Sequence, residues 1–357
     1  MRRFLFYFLS ASALWSQPAP EISTATIRRL ERALETERVA EKVVGMSVAV
    51  AHRGALRYAN GFGMADLENS LPARPDTIYR LGSISKTISA VAALQLFERG
   101  RIDLDAPVQR YVPTFPQKPW PISLRQILGH LGGIRHYKGD EMMSTRYYSN
   151  LSDGIKFFAN DPLEHEPGSK YLYTTHGFTL VGAAVETAGA QRFVDYVSTR
   201  IFSRAGMDTA REDSVYAVIR NRTRGYALGT NGEVLNAGLA DTSYKVPGGG
   251  FVASAIDVMQ FGVALDAGRL MKRETYRLMT ATQKTTEGRE TGYGMGISLT
   301  MFEGKKAYSH SGSQQGCRTV FAIFPEEQFV IAILTNSEHA DYKKLMEAAV
   351  RALMNTQ

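Results

Sequence analysis

Hydrophobic and polar residues alternate with two different periods near the start of the chain. Apolar side chains recur every three or four residues over about 22–42, which predicts an amphipathic helix. Two short β-like runs follow, at 46–51 and 56–59. The Arg53-Gly54 pair between them predicts a hairpin.

The next segment has no polar face. From Ile84 to Phe97 the chain is apolar on nearly every side. This predicts a helix buried at the centre of a domain, which Gly100 ends as a C-cap. The stretch from about 115 to 245 is mostly helical in pattern, with polar loops between the helices.

The carboxy-terminal part returns to strands. Four β-like runs are separated by short turns, at 294–302, 306–310, 319–324 and 329–335. A last helix is predicted over about 338–354. Strands at both ends, with helices between them, predict an α+β fold: an antiparallel β-sheet built from both chain ends and flanked by helices, with an inserted, mostly helical subdomain. The expected boundaries are 1–20 for a signal peptide, about 21–115 and 246–357 for the sheet part, and about 116–245 for the helical subdomain.

Composition narrows the class of protein. The 357 residues are 44% hydrophobic and 22% charged, which is typical of a folded globule. The net charge of +7 is scattered in runs of at most two basic residues, so no nucleic-acid partner is expected. Cys317 is the single cysteine, which excludes an intramolecular disulfide and is typical of a small packing residue.

The first 20 residues have the pattern of a secretory signal. Two arginines precede an apolar stretch from Phe4 to Trp15, and small residues and prolines follow. This predicts a periplasmic or secreted protein. The alternative is an uncleaved amino-terminal membrane anchor, although the stretch is shorter than the ~20 residues of a spanning helix. Contact with a membrane is expected only through this segment.

Ser83 and Lys86 open the buried helix and are a candidate nucleophile and base. Three residues apart, they share one helix face, with about 5–6 Å between Cβ atoms. Ser83 is in the first turn, where free N–H groups and the helix dipole favour negative charge. Burial lowers the pKa of a lysine, so the Lys86 amine can accept the proton of Ser83. On this pattern alone, an N-cap serine and a surface lysine remain an equal alternative.

Two further motifs follow in order. Pro167-Gly168 leads into Tyr173-Thr174-Thr175 ahead of an apolar helix, and His310-Ser311-Gly312 ends a β-like run before Ser313. With these motifs the sequence resembles the penicillin-recognising serine hydrolases of peptidase S12 type: class C β-lactamases, D-alanyl-D-alanine peptidases and related esterases. Together with 122–137 and 246–261, it most resembles mitochondrial β-lactamase-like proteins and their bacterial relatives. The resemblance covers roughly residues 40–337.

The resemblance implies a role for each matching residue. Ser83 would be the acylated nucleophile, Lys86 its proton acceptor, and Tyr173 a partner in acid/base work if nearby cations lower its pKa. His310, Ser311, Gly312, Ser313 and Thr175 would form the substrate-binding side, with the backbone N–H groups of Ser83 and Ser313 as the oxyanion hole. No metal and no cofactor are implied.

Two residues depart from the commonest family pattern. Thr175 replaces asparagine, which weakens the contact to a substrate carbonyl. His310 replaces lysine, and a neutral imidazole attracts a substrate carboxylate less. Both changes predict poor β-lactam hydrolysis. Arg318 is the candidate to restore the positive charge.

Other polar groups offer weaker sites. Tyr148-Ser149-Asn150 fits Tyr-x-Asn literally but lacks the Pro-Gly entry and the following apolar helix. Four histidines show no tight metal-ligand spacing: His130, His136, His165 and His176. The remaining candidates are Glu164 and Glu166, expected as solvated loop carboxylates, and Gly248–Gly250, expected either as a cleft wall or as a tight turn.

The sequence therefore predicts a serine hydrolase that forms a covalent acyl-enzyme on amide, peptide or ester substrates. A small molecule or peptide, such as a cell-wall fragment, is the expected substrate. The alternative is a catalytically weak scaffold with the same fold, which binds peptidoglycan or assembles with itself.

Overall fold

A computed structural model describes residues 22–355, so the predicted signal peptide at 1–20 lies outside the described residues. The strands are β1 Gly45–His52, β2 Ala55–Asp66, β3 Leu71–Pro72, β4 Tyr79–Arg80, β5 Arg211–Glu212, β6 Tyr226–Leu228, β7 Val234–Asn236, β8 Phe251–Ala253, β9 Ser298–Phe302, β10 Lys305–Gln314, β11 Cys317–Phe324 and β12 Phe329–Thr335. The helices are α1 Thr24–Ala40, α2 Ile84–Glu98, α3 Leu124–Leu128, α4 Leu151–Ile155, α5 His176–Gly189, α6 Phe193–Val197, α7 Ser203–Ala205, α8 Val246–Gly249, α9 Ala255–Asp266, α10 Arg273–Thr280 and α11 Tyr342–Met354.

Seven strands form the main sheet, in the order β3-β2-β1-β12-β11-β10-β9. Neighbouring strands are antiparallel throughout. The two chain ends meet at the β1–β12 pair, which runs in register from Met46 opposite Thr335 to His52 opposite Phe329. The prediction of an antiparallel sheet assembled from both ends of the chain is confirmed.

The central strands are buried on both faces because helices cover each side of the sheet. On β1, Met46 and Val48 pack with α1 and α11, whereas Ala49 and Ala51 join the larger core that contains α2 and α9. Successive side chains of a strand point to opposite faces, so one strand serves both cores. Among residues 22–355, no helix combines the length and apolarity needed to cross a membrane.

Some element ends differ from the pattern-based prediction. The run 294–302 becomes a strand only at Ser298, because Gly296 adopts a φ of +72° and turns the chain against α2. The last helix begins at Tyr342 instead of 338, since the Asp341 side chain caps it by accepting from two backbone N–H groups. The middle of the chain also contains three short strands, β5 to β7, between its helices.

Helix α2 lies in the centre of the molecule, as its all-round apolar pattern predicts. Every residue from Ile84 to Leu96 is buried. Its buried hydroxyls tie it to neighbouring segments: Thr87 Oγ1 donates to the Gly296 carbonyl at 2.7 Å, and Ser89 Oγ donates to the Pro247 carbonyl at 2.6 Å. The start of α2 is thereby held against α8 and the segment that precedes β9.

Candidate active site

Ser83 stands at the amino-terminal end of α2, directly after a tight turn. Gly82 has a φ of +54°, and a Cβ there would lie 2.9 Å from the backbone nitrogen of Ser313. Glycine is required because it adopts the left-handed conformation and lets β10 approach closely. The Ser313 amide therefore lies beside the start of α2, next to Ser83. Ser83 itself is half-buried and lines a cavity of about 370 Å³.

Lys86 lies one turn further along α2 and is fully buried. Its Nζ lies 2.9 Å from Ser83 Oγ, 3.0 Å from Thr175 Oγ1 and 2.7 Å from the Gly248 carbonyl oxygen. Burial, with the nearby Lys245, holds the pKa of Lys86 well below its usual value. A neutral amine has two N–H donors and one lone pair. It can therefore donate to Thr175 and Gly248 while it accepts from the Ser83 hydroxyl.

Tyr173 reaches the same hydroxyl from the segment before α5. Its phenol is hydrogen-bonded to the Ser83 side chain, and its ring centroid lies 4.8 Å from Lys86 Nζ. The sequence made acid/base work by Tyr173 conditional on nearby cations that lower its pKa, but burial raises that pKa. The reason is that the amine beside it is itself desolvated and so carries little charge. Tyr173 is consequently a neutral phenol, suited to donating a proton.

Thr175 holds Lys86 in place. Its hydroxyl contacts the lysine amine, and its backbone N–H donates to His136 Nδ1 at 3.1 Å. The Tyr137 side chain is also hydrogen-bonded to Thr175. The hydroxyl is therefore already engaged, and the amide donor that asparagine would offer to a substrate is missing.

His310 lies behind the cavity rather than on its wall, which differs from its predicted place. It is buried; its Nδ1 lies 2.7 Å from the Ser311 carbonyl oxygen and its Nε2 lies 2.9 Å from the Tyr293 hydroxyl. A neutral imidazole satisfies both contacts, donating from Nδ1 and accepting at Nε2. Burial, with Lys86 nearby, lowers the pKa of His310 to about 3. His310 thus brings no positive charge to the cavity.

Ser311 and Ser313 line the cavity from β10, whereas Gly312 faces inward against Leu81. Alternation along the strand explains the difference, since His310 and Gly312 share one face and the two serines share the other. Arg318 lies directly opposite Ser313 on β11 and also lines the cavity. The sequence indicated Arg318 as a candidate positive charge but could not orient it. The antiparallel pairing of β10 and β11 places it at the cavity. The remaining wall consists of His136, Tyr137, Met142, Tyr173, Thr175, Gly248, Gly249, Gln314 and Tyr342.

The competing Tyr-x-Asn match lies elsewhere. Asn150 caps α4 by accepting from the Asp153 N–H at 2.9 Å, and both Ser149 and Asn150 are exposed. The Tyr148 backbone N–H donates to Ser243 Oγ, and Tyr148 does not line the cavity. Asn150 of this triplet serves as a helix cap, and of the two tyrosines it is Tyr173 that contacts Ser83.

The other candidate groups have structural partners. His130 Nδ1 accepts from the Thr174 N–H, and His176 Nε2 contacts Glu141 at 3.0 Å. In the part of the chain that the structure describes, no three His, Cys, Asp or Glu residues are placed to hold a metal ion. Glu164 and Glu166 are exposed, and Cys317 is buried, with burial raising the pKa of its thiol to about 12.

One buried neighbour of Lys86, Lys245, gave no signal in the sequence. It precedes the 246–261 stretch and is fully buried close enough to influence Lys86. A lysine between Tyr244 and Val246 has no periodic pattern that predicts burial. Gly248, by contrast, lies within the triplet whose two alternatives were a cleft wall and a tight turn. It belongs to a short helical turn, and Gly249 lines the cavity.

The chain is similar to several known proteins. Mitochondrial serine β-lactamase-like protein LACTB of Homo sapiens is 29% identical over 417 residues, covering 88% of this chain and 76% of the human protein. A penicillin-binding protein of Bacillus subtilis (strain 168) is 26% identical over 328 residues, covering 86% of this chain and 72% of its own length.

A solved structure shares the whole architecture. The octameric penicillin-binding protein homologue from Pyrococcus abyssi superimposes with a TM-score of 0.81 at 25% identity, over 93% of this chain and 78% of that one. The family described as Beta-lactamase matches residues 30–354, which include the sheet, α2 and every residue of the cavity. The chain is accordingly a member of the β-lactamase family, among the serine β-lactamase-like and penicillin-binding-protein-like hydrolases.

Proposed function

We propose that this protein is a serine hydrolase that cleaves amide, peptide or ester bonds through an acyl-enzyme on Ser83. The observation that carries the proposal is the 2.9 Å contact between Ser83 Oγ and the fully buried Nζ of Lys86. A desolvated, neutral amine at that distance is a base able to activate a hydroxyl.

The proposed acylation uses three groups in sequence. Lys86 Nζ takes the proton of Ser83 as Oγ attacks the substrate carbonyl carbon. The backbone N–H groups of Ser83 and Ser313 stabilise the oxyanion that forms; losing one such donor typically costs about 3–4 kcal/mol. The leaving amine or alkoxide takes the phenol proton of Tyr173, which regains a proton from the Lys86 ammonium. Water then hydrolyses the ester by the same proton transfers in reverse.

Covalent labelling tests this proposal directly. Incubated with a fluorophosphonate, the wild-type protein is expected to gain one adduct, which peptide mapping places on Ser83. The Ser149→Ala variant is a matched control because it removes an exposed serine of the competing triplet, and it should label at the wild-type rate. An adduct on another residue, or no adduct on the folded wild type, would contradict the proposal.

We further propose that the substrate carries a carboxylate which Arg318 binds. With His310 buried and neutral, Arg318 is the cationic side chain facing the cavity from the β10–β11 pair. A hydrogen bond to a charged group contributes about 1.5–3 kcal/mol, which corresponds to a roughly tenfold or larger change in affinity.

The Arg318→Gln variant tests this selectivity. KM for a D-alanyl-D-alanine peptide with a free carboxyl group is expected to rise about tenfold or more. KM for p-nitrophenyl acetate, which is uncharged, should stay within twofold or so. The exposed Lys284→Met serves as the control for loss of one positive charge. Equal losses on both substrates would assign Arg318 a structural role instead.

The scaffold alternative receives less support. Ser83, Lys86 and Tyr173 are all present and in contact, whereas a scaffold has no need to retain them. Self-assembly is compatible with catalysis and stays a prediction, as do export and the location outside the cytoplasm that residues 1–20 indicate. β-lactam hydrolysis is expected to be weak, because Thr175 lacks the side-chain amide that would contact the substrate carbonyl.

A further inference from the structure

Lys245 is a buried amine that forms no ion pair with any of the residues that the structure describes. Its side chain is fully buried at the end of the 3₁₀ turn that leads into α8. Within residues 22–355, its Nζ has neither a hydrogen-bond partner nor a carboxylate within ion-pair distance. The Nζ lies 4.8 Å from the ring centroid of Tyr137 and 5.1 Å from that of Tyr244. A lysine buried in this way costs free energy of folding, so its presence calls for a function.

The position of Lys245 connects it to both groups that hold Lys86. Three residues along the chain, the Gly248 carbonyl accepts a hydrogen bond from Lys86 Nζ at 2.7 Å. Tyr137, whose ring contacts Lys245, is hydrogen-bonded to Thr175, the second partner of that amine. Lys245 therefore lies behind the acceptors of the proposed base, in the same dry interior.

Few of the surrounding groups change charge near neutral pH. Asp213 is paired with Arg80 at 2.9 Å and with Arg222, so its carboxylate is already compensated. Burial lowers the pKa values of His136 and His176 to about 4 and keeps the thiol of Cys317 protonated. Burial and the charge of Arg80 lower the pKa of Lys245 to about 7. The facing groups are thus Arg80 on β4, Asp213 after β5, Cys317 on β11, His136 and Tyr137 after α3, His176 on α5, Tyr244 before α8 and Lys86 on α2.

We propose that Lys245 is a positioning residue for the acyl transfer proposed above, on which this inference rests: as its buried amine takes up a proton, it keeps the Lys86 amine unprotonated and able to accept the proton of Ser83. The reason is electrostatic. A positive charge in the same low-dielectric interior disfavours a second one nearby. Lys245 thereby extends the active range of the enzyme to lower pH.

The first test measures the pKa of Lys86 directly, so it does not require the protein to be active. Protein labelled with ¹³C-lysine is titrated by NMR, with the Lys86 Cε signal assigned by its loss in Lys86→Met. In the Lys245→Met variant the Lys86 midpoint is expected to rise by about one pH unit. Lys284→Met, which removes an exposed charge, should leave it unchanged. An unchanged midpoint in Lys245→Met would overturn the inference, whatever the activity of the protein.

The second test is the pH profile of kcat/KM on p-nitrophenyl acetate. A neutral Lys86 is required for activity, so the acidic limb should move to higher pH in Lys245→Met while the alkaline plateau is unchanged. A merely structural role would lower the plateau and leave the limb in place, which would contradict the inference. The melting temperature should not fall, because methionine fills similar space without a desolvated amine. A wild type without turnover would refute the proposed function, yet the titration would still decide the role of Lys245.

Discussion

Ser83→Ala is expected to lower kcat by about 10³-fold or more and to abolish the fluorophosphonate adduct. The variant removes the oxygen that would carry the acyl group. Ser311 and Ser313 line the same cavity, but within residues 22–355 the hydroxyl that is hydrogen-bonded to the Lys86 amine besides Thr175 is that of Ser83. Lys86 keeps its contacts with Thr175 and Gly248, so the site should stay organised. Burst kinetics on p-nitrophenyl acetate, together with intact mass spectrometry, measure both effects.

The stability of this variant should be close to that of the wild type. Ser83 is half-buried and its side chain makes no capping hydrogen bond to α2. A substitution of this kind usually changes the free energy of unfolding by about 0.5 kcal/mol. Retained turnover in a folded Ser83→Ala protein would remove serine from the mechanism.

Lys86→Met is expected to lower kcat by about 10²- to 10⁴-fold, the usual contribution of a general base. In the pH–rate profile of this variant, the loss of activity at low pH (the acidic limb) should disappear as well. In the wild type that limb reports protonation of Lys86, whose pKa lies well below the usual lysine value, so activity is lost only as the pH falls through this lowered pKa. Steady-state kinetics across the pH range provide the measurement.

The pH dependence of stability independently tests whether Lys86 is neutral in the folded protein. The unfolded chain binds a proton on Lys86 up to about pH 10.5, whereas the folded protein does not. Wild-type stability relative to Lys86→Met should therefore rise with pH, up to the unfolded pKa. Thermal unfolding at several pH values tests this slope, and a stability difference independent of pH would show that Lys86 is charged in the folded protein.

Much of the architecture could be predicted because it depends on local periodicity. The all-round apolar pattern of 84–97 predicts a central helix, and that helix is buried from Ile84 to Leu96. The spacing of Ser83 and Lys86 on one turn is likewise a property of helical geometry alone, which explains their contact. Strand ends were less predictable, since Gly296 and Asp341 act through contacts that follow no period.

A three-residue motif did not suffice to identify the tyrosine of the site. Tyr148-Ser149-Asn150 matches the family pattern better than Tyr173-Thr174-Thr175 does, but its asparagine caps α4. Flanking context, namely the Pro-Gly entry and the apolar helix that follows, favoured Tyr173. Contact with Ser83 decides between them, and contact depends on how α5 packs against α2.

The amino-acid sequence by itself determined the main helices and strands and the pairing of Ser83 with Lys86, because these follow from periodicity within a few turns of chain. The order of strands and helices along the chain predicted the antiparallel sheet made from its two ends. Tertiary structure alone decided the electrostatics of the cavity. His310 is a buried neutral imidazole, Arg318 lines the cavity, and Lys245 is buried close to Lys86. Desolvation and charge proximity depend on which distant segments surround a side chain, and that information exists only once the chain is packed.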